Sequence, residues 1–527
     1  MKTEIFPRNA LTYYNALQIK LAEDQQKLID FIGLPFKQEN ITEQIKRKKA
    51  HFSLAERIRL TNVFKDQYLA VQTSEKVTKN IELIEKENTF TVTTGHQLTL
   101  FGGPAYFFYK IIHVISLCQK LKEDHPACNF IPVFWMASED HDKEEIADTT
   151  IYSKKIRWET NQTGPVGKFH LNPEFEACKK EFLQLFSTSQ FNEIEQKLLS
   201  FSGNTLSEGM FHFLNSIFQQ YGLLILEPNR AELKRMLIPV FEKEITQSIT
   251  YQAVSATNSE LQKIGVKPQA QIQPINFFHL QAGKRSKIIK IEDGFSINNQ
   301  FFTREELLLE INNHPEYFSP NVFLRPLYQE LILPNLAYIG GPGELSYWIQ
   351  LKGIFDAYLV PFPFLVNRIS IFQMDNSLHE KLVKLNIPFL DFAARTKDEL
   401  KKEFLSKNKE VIDWTETKDL IDLAHNKAHF LFDKHAPSNK KMLDAEWKTI
   451  EKTIDQITHK LDKQINIKYD VALNQIELVK DKFFPNGSSQ ERVFHFFHFC
   501  SNGSLEKINL IMSAINPFES GILLIQV

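Results

Sequence analysis

Cysteine is scarce in this chain. Cys118, Cys128, Cys178 and Cys500 are the four in 527 residues, and their spacing fits neither a metal-ligand set nor a disulfide framework. They read as reduced, mostly buried thiols of a cytoplasmic protein. An excess of one charge is lacking too. The 62 Lys and Arg against 64 Asp and Glu give a formal net charge of -2, which leaves no electrostatic case for a nucleic-acid or anionic-membrane partner. No apolar run approaches the ~20 residues that cross a bilayer, and the opening "MKTEIFPRNALTYYNALQ" lacks the apolar core of a secretory signal. Phenylalanine, by contrast, is abundant. Its 44 residues include the pairs Phe107-Phe108 and Phe277-Phe278, a sign of bulky core packing.

Residues 10–90 read as polar and helical, with Leu, Ile and Val at helical spacings. The texture then changes to a β-branched strand, "TFTVTTGHQ" (89–97), a turn, "LFGGPA", an apolar helix, "YFFYKIIHVISLCQKL" (106–121), and a second strand, "NFIPVFWMAS". Strand, glycine turn, helix and strand within about 50 residues form a βαβ unit, which predicts parallel strands and a right-handed crossover. Between about 160 and 300 the pattern is mixed, with "YGLLILEP" ending an apolar strand at Glu227. "LPNLAYIGGPGELSYWIQLKGIF" adds a strand, a glycine loop and a helix. After residue 376 the composition shifts to Lys, Asp, Glu and Leu. Leu443, Trp447, Ile450, Ile454, Ile457 and Leu461 lead into Ile465, Tyr469, Ala472, Ile476, Val479 and Phe483, a heptad repeat with one stutter. Pro437, Ser438 and Asn439 make a tip joining this helix to an earlier antiparallel one over 395–434. "GILLIQV" returns the chain to the core as a final strand. The expected domains are 1–375, 376–484 and 485–527, in an α/β fold with a long helical hairpin.

Ligands bind at the carboxyl ends of parallel strands, and two polar clusters fall there: Thr94, Gly95, His96 and Gln97, then Glu139, Asp140, His141 and Asp142. Gly103 and the helix start at Pro104 offer free N–H groups suited to an anion; a tight turn that merely needs glycine accounts for them equally well. The acids of "SEDHD" could ligate a metal or act as acid and base, or could cap a helix start. Arg325 would grip a carboxylate or phosphate, and Glu344, at a helix start after Gly340-Gly341-Pro342-Gly343, would receive an amine; a structural Arg–Glu pair is the plainer account. "AGKRSKIIK" (282–290) reads as a solvated basic loop. No metal ligand set is assigned.

Taken together, "TGHQ…GGPAYFFYK", "PVFWMASEDHD", "GPVG", "SPNVFLRPLYQELILPNLAYIGGPGELSYW" and "PNGSSQERV" resemble the BshC family of bacillithiol-biosynthesis, cysteine-adding enzymes, in order and over nearly the whole chain. The resemblance implies a Rossmann-like parallel-sheet core with connecting insertions, similar to class I aminoacyl-tRNA synthetases and other nucleotidyltransferases. It also implies an antiparallel coiled-coil domain that mediates homodimerisation. The implied reaction joins the carboxylate of cysteine to the amine of glucosaminyl-malate. The pocket positions carried over are Thr94, Gly95, His96, Gln97, Gly103, Pro104, Tyr106, Lys110, Glu139, Asp140, His141, Asp142, Arg325, Gly341, Gly343 and Glu344. Family members often carry Gln at the position of His96, and the His-x-Gly-His and Lys-rich signatures of class I synthetases are absent here.

Because an amide does not form from a free carboxylate in water, ATP (or its product ADP) is the expected nucleotide. Pro104 and Lys110 would take a phosphate or carboxylate, Asp140 or Glu139 the cysteine ammonium, His141 or Asp142 the amine proton, and Arg325 the malate carboxylates. The competing readings are a dimeric scaffold without chemistry and a metal-dependent hydrolase built on His96, His141 and the acids.

Overall fold

The computed structural model describes residues 2–186, 189–281, 283–408, 414–500 and 502–526. Five strands form the central sheet: β1 (Thr89–His96), β2 (Asn129–Met136), β3 (Leu224–Leu226), β4 (Asn335–Gly340) and β5 (Phe364–Asn367). All neighbours run parallel, in the order β5-β4-β1-β2-β3. This is a Rossmann-like arrangement, with the strand order reversing between β1 and β4. The crossover helix α1 (Ala105–Asp124) is buried at every residue from Ala105 to Cys118 except Tyr106. One side of α1 joins a large cluster through Phe107, Phe108 and Ile111. The other packs Val114, Leu117 and Leu121 against Phe90, Val92, Leu336 and Ile339. Both faces of the sheet are covered, which is why β2 reads as an unbroken apolar run.

The phenylalanines fill the space beside α1. Phe101 stacks on Phe182 at 4.8 Å and Phe108 on Phe496 at 4.6 Å, so the expected core role of these rings holds. The turn into α1 needs its glycines: Gly102 and Gly103 have φ of +88° and +55°, and a Cβ on Gly103 would stand 2.5 Å from Thr99 Oγ1.

Two further sheets complete this part. An antiparallel sheet contains Phe277–Gln281, Lys284–Ile291, Gly294–Ile297, Gln300–Phe302 and Phe318–Pro320. The basic run read as a solvated loop is therefore mostly a strand. A three-stranded sheet pairs the final strand, Ile522–Gln526, antiparallel with Lys2–Phe6 and parallel with Ser370–Met374. The chain thus does return to the core at its last described residues. Arg325 lies in the helix Leu324–Ile332, and β4 follows it.

The chain packs as two compact units, Met1–Met374 with Ser488–Val527, and Asp375–Gly487. The second unit is helical: Asn376–Leu385, Phe389–Ala394, Lys397–Asn408, Thr415–His435 and the 44-residue Lys440–Phe483, about 66 Å long at 1.5 Å per residue. The partner expected over 395–434 is described as two helices, and residues 409–413 lie outside the described residues, as does the side chain of Ile465. The heptad positions divide along the helix. Ile476, Val479 and Phe483 are buried, whereas Ile450, Ile457 and Leu461 are 42%, 51% and 39% exposed. No described helix is long and apolar enough to cross a membrane.

Candidate active site

A cavity of about 680 Å³ opens at the carboxyl ends of the parallel strands. Its position follows from topology: β1 and β4 diverge at the reversal of strand order, and their following segments leave in opposite directions. Of the residues singled out in the sequence, Gly95, His96, Gln97, Tyr106, Lys110, Glu139, Asp140, Arg325, Gly341, Gly343 and Glu344 line it. Thr94, Gly103, Pro104, His141 and Asp142 are not among the residues that line it.

Each exception has a local cause. Thr94 donates its hydroxyl to the Ile339 carbonyl at 2.8 Å, tying β1 to β4 inside the sheet. Gly103 serves the turn described above. Pro104 forms a bridge with His495, and the Ala105 N–H donates to the Phe494 carbonyl at 2.8 Å. The helix start expected to hold an anion is therefore occupied by the C-terminal segment. Asp142 caps the short helix Lys143–Ile146, accepting from the Glu145 N–H at 3.2 Å. His141 is 57% exposed, its Nδ1 3.4 Å from Asp140 Oδ1.

The sequence "GGPGE" builds one wall. Pro342 opens the helix α2 (Pro342–Trp348), and Glu344 reaches back to accept the Gly341 N–H at 3.1 Å. The same carboxylate takes the Lys110 ammonium at 2.9 Å and the Tyr338 hydroxyl. Burial alone would push the Glu344 carboxyl up, but Lys110 and the Tyr338 hydroxyl hold it below the usual carboxylate range. Lys110 in turn is lowered by burial, with Glu344 opposing.

A second wall carries the "GHQ" and "SEDHD" words. His96 Nδ1 lies 3.0 Å from the Gln97 carbonyl and must donate to it, so neutral Nε2 accepts from the Tyr106 hydroxyl at 2.9 Å. Burial, reinforced by nearby Lys110, brings the His96 pKa down to about 4, and the ring is neutral near pH 7. Gln97 donates to Asp140 Oδ2 at 2.7 Å, and the His141 N–H donates to Asp140 Oδ1 at 2.7 Å. Burial works against the Asp140 charge, but these bonds and Arg285 outweigh it and keep the carboxyl low. Glu139 is different: the buried Lys234 ammonium pairs with it, which neutralises it as a free ammonium receptor.

Three buried polar atoms around the cavity lack a hydrogen-bond partner among the described residues: Gln97 Oε1, Arg285 Nε and Arg325 Nη2. Leaving such groups unpaired costs about 1–3 kcal/mol each. An acceptor awaits a donor beside Asp140, and one guanidinium N–H on each of Arg285, itself close enough to Asp140 to favour its charge, and Arg325 awaits an acceptor. Arg285 rests on the Phe278 ring at 3.9 Å, and Arg325 sits 5.6 Å from the Trp135 ring and 5.4 Å from the Tyr338 ring. The cavity suits a small polar molecule that carries both a hydrogen-bond donor and an anionic group.

The hydrolase reading finds no support here. Both ring nitrogens of His96 are engaged, and among the described residues the one group of three convergent ligand atoms is His425, His429 and Asp444, far along the chain in the helical unit.

The family model for the bacillithiol biosynthesis BshC N-terminal Rossmann-like domain matches residues 5–369, and that for the BshC C-terminal coiled-coil domain matches residues 371–527. The chain belongs to the BshC family. A protein of Flavobacterium johnsoniae named "Putative cysteine ligase BshC" is 35% identical over 488 residues, 91% of each chain. One of the same name from Flavobacterium psychrophilum is 33% identical over 99% of this chain and 98% of its own, and one from Bacillus cereus is 28% identical over 85% and 86%. A solved Plasmodium falciparum tryptophanyl-tRNA synthetase aligns at 13% identity and a TM-score of 0.23, covering 90% of this chain and all of its own, too remote to inform the fold. The BshC coiled-coil model takes in the last forty residues, although Ser488–Val527 packs with Met1–Met374.

Sequence reasoning missed several cavity residues. Glu145 lines the wall near Gln97, and burial pushes its carboxyl up. Arg285 arrives from the antiparallel sheet, a residue whose basic neighbours gave no sign of inward placement. Arg368 and Arg492 also line the cavity, with Arg368 5.0 Å over the Tyr106 ring. Arg368 is held by Glu491 at 2.8 and 3.0 Å. The "PNGSSQERV" word was part of the family likeness, and Glu491-Arg492 within it carried a signal that no role was read from.

Proposed function

We propose that this chain joins the carboxylate of cysteine to the amine of glucosaminyl-malate, completing bacillithiol, with ATP activating the carboxylate. The observation that carries the reading is the placement of the cavity's unpaired atoms: Gln97 Oε1 beside Asp140 suits an ammonium, and Arg285 Nε and Arg325 Nη2 suit carboxylates or phosphates. Family membership supplies the class of reaction, and the relatives' names supply cysteine.

In this scheme a cysteine carboxylate oxygen attacks a phosphorus of ATP, giving an acyl-phosphate with loss of ADP or an acyl-adenylate with loss of pyrophosphate. The sugar amine nitrogen then attacks the carbonyl carbon, and phosphate or AMP departs. Asp140 and Gln97 hold the cysteine ammonium. Arg325 and Arg285 hold malate carboxylates or phosphate. Glu145, whose raised proton affinity suits a base, takes the proton that the attacking amine sheds. Lys110, paired with Glu344 and bonded to the Gly95 carbonyl, fixes the wall on which the reacting groups lie.

The chain works as a homodimer through the helical hairpin in this reading, since Ile450, Ile457 and Leu461 leave an apolar seam open on the long helix. Four free cysteines are in keeping with a cytoplasmic location. Incubation with cysteine, glucosaminyl-malate and ATP, with products followed by mass, tests the proposal. Wild type should form the amide and Asp140→Asn should not; no product from well-folded wild-type protein would overturn it.

A further inference from the structure

Near the tip of the hairpin, two histidines one helical turn apart meet a carboxylate from the opposite helix. His425 and His429 lie on Thr415–His435, and Asp444 lies on Lys440–Phe483. Spacing of i, i+4 places both rings on one face. His425 Nε2 and His429 Nε2 are 3.1 Å apart, and His429 Nε2 is 2.8 Å from Asp444 Oδ1. The three ligand atoms all lie within 4.8 Å of one another. We infer that His425, His429 and Asp444 form a Zn²⁺ site that clips the two helices of the hairpin together.

Three arguments support this assignment. A tetrahedral Zn²⁺ with bonds of about 2.0–2.1 Å sets its ligand atoms roughly 3.3 Å apart, close to both short separations here. Hydrogen bonding without a cation satisfies the trio poorly: one Nε2–H of His429 cannot serve Asp444 and His425 fully at once. A cation accepts electron pairs from all three. The His425 ring is also held in place, stacked on Trp447 at 4.5 Å with 8° between planes. Imidazole and carboxylate donors favour Zn²⁺ over Mg²⁺ or Ca²⁺.

Location gives the site its use. Thr415–His435 has no buried residue, and Leu423, Phe430 and Leu431 are all more than half exposed. Little apolar burial holds this helix to its neighbour, and a metal bridging across the Pro437–Asn439 turn would fix their register instead. His429 and His425 are part-exposed, so an ion can enter from solvent. With three protein ligands, the fourth position is left for water.

The test uses the full-length chain freed of any affinity tag, titrated with Zn²⁺ against a coloured chelator, with Co²⁺ as a spectroscopic probe. Wild type should take up one equivalent and give the visible absorption of tetrahedral Co²⁺. His429→Gln and Asp444→Asn should each weaken binding by more than the roughly 10–100-fold that an outer-shell partner is worth, with far-UV helicity unchanged. His429→Cys, which supplies a thiolate in the same place, should restore binding even if the other variants disturb the helix. Absence of binding by wild type, or equal binding by the glutamine and asparagine variants, would overturn the site.

Discussion

Lys110 and Glu344 stand 234 positions apart in the chain and 2.9 Å apart in space, and the same ammonium donates to the Gly95 carbonyl at 2.6 Å. One cation thus ties the end of β1 to the helix that follows β4, across the place where the strand order reverses. The Lys110 side chain is 4% exposed and Glu344 keeps 23% of its side chain open to the cavity.

Removing either partner leaves an uncompensated charge. Lys110→Met should destabilise the protein by about 3 kcal/mol, the low end of the range for a broken buried pair because Glu344 can still be solvated. Combining it with Glu344→Leu should cost less than the sum of the single changes. Urea unfolding of the four proteins measures the coupling; strict additivity would show that the pair does not act as a unit.

Buried neutral histidines make the fold acid-sensitive. Burial brings His96, His113 and His495 each down to about 4. In the unfolded chain they take up protons near 6.5, so between pH 6.5 and 4 the unfolded state binds more protons. Stability should therefore be full above that window and fall as pH is lowered through it, by up to about 1.4 kcal/mol per pH unit for each histidine. His96→Gln should reduce the slope by close to one proton. Unfolding free energies at a series of pH values decide it, an unchanged slope counting against the assignment.

Arg285 offers an unpaired Nε to the cavity while stacking on Phe278. Arg285→Ala should raise KM for the carboxylate-bearing acceptor or for ATP by about tenfold or more, the loss of a charge-assisted hydrogen bond worth about 1.5–3 kcal/mol. Varying the two substrates separately tells which anion it meets. An unaltered KM for both would remove Arg285 from the site.

The distal hairpin exposes Ile457 and Leu461 on the long helix. If the proposed homodimer forms through this seam, wild type should sediment as a dimer at equilibrium and Ile457→Glu with Leu461→Glu should convert it to a monomer, with helicity retained. A double variant that remains dimeric would place the contact elsewhere.

Much of the fold was legible in the sequence because its causes are local. The β-branched run 89–96, the apolar run 129–136 and the glycines between them specify strand, turn and helix within one stretch. "GGPGE" likewise carries its own helix start in Pro342 and Glu344. The site was read less completely. Local sequence put Pro104 at a helix start but could not reveal that the Phe494 carbonyl, nearly 400 positions away, would take the Ala105 N–H. It put Glu139 at a strand end but not Lys234 against it, and it gave Arg285 no reason to face inward.

By itself the sequence determined the first strand–turn–helix–strand unit, the helix start at Pro342 and the long helix of the hairpin, together with the polar words at the strand ends, since periodicity and turn chemistry act over a few residues. Tertiary structure alone decided which of those polar groups meet a partner and which stay open to the cavity. Pairing a charge depends on which distant segment packs beside it, and no short-range pattern encodes that neighbour.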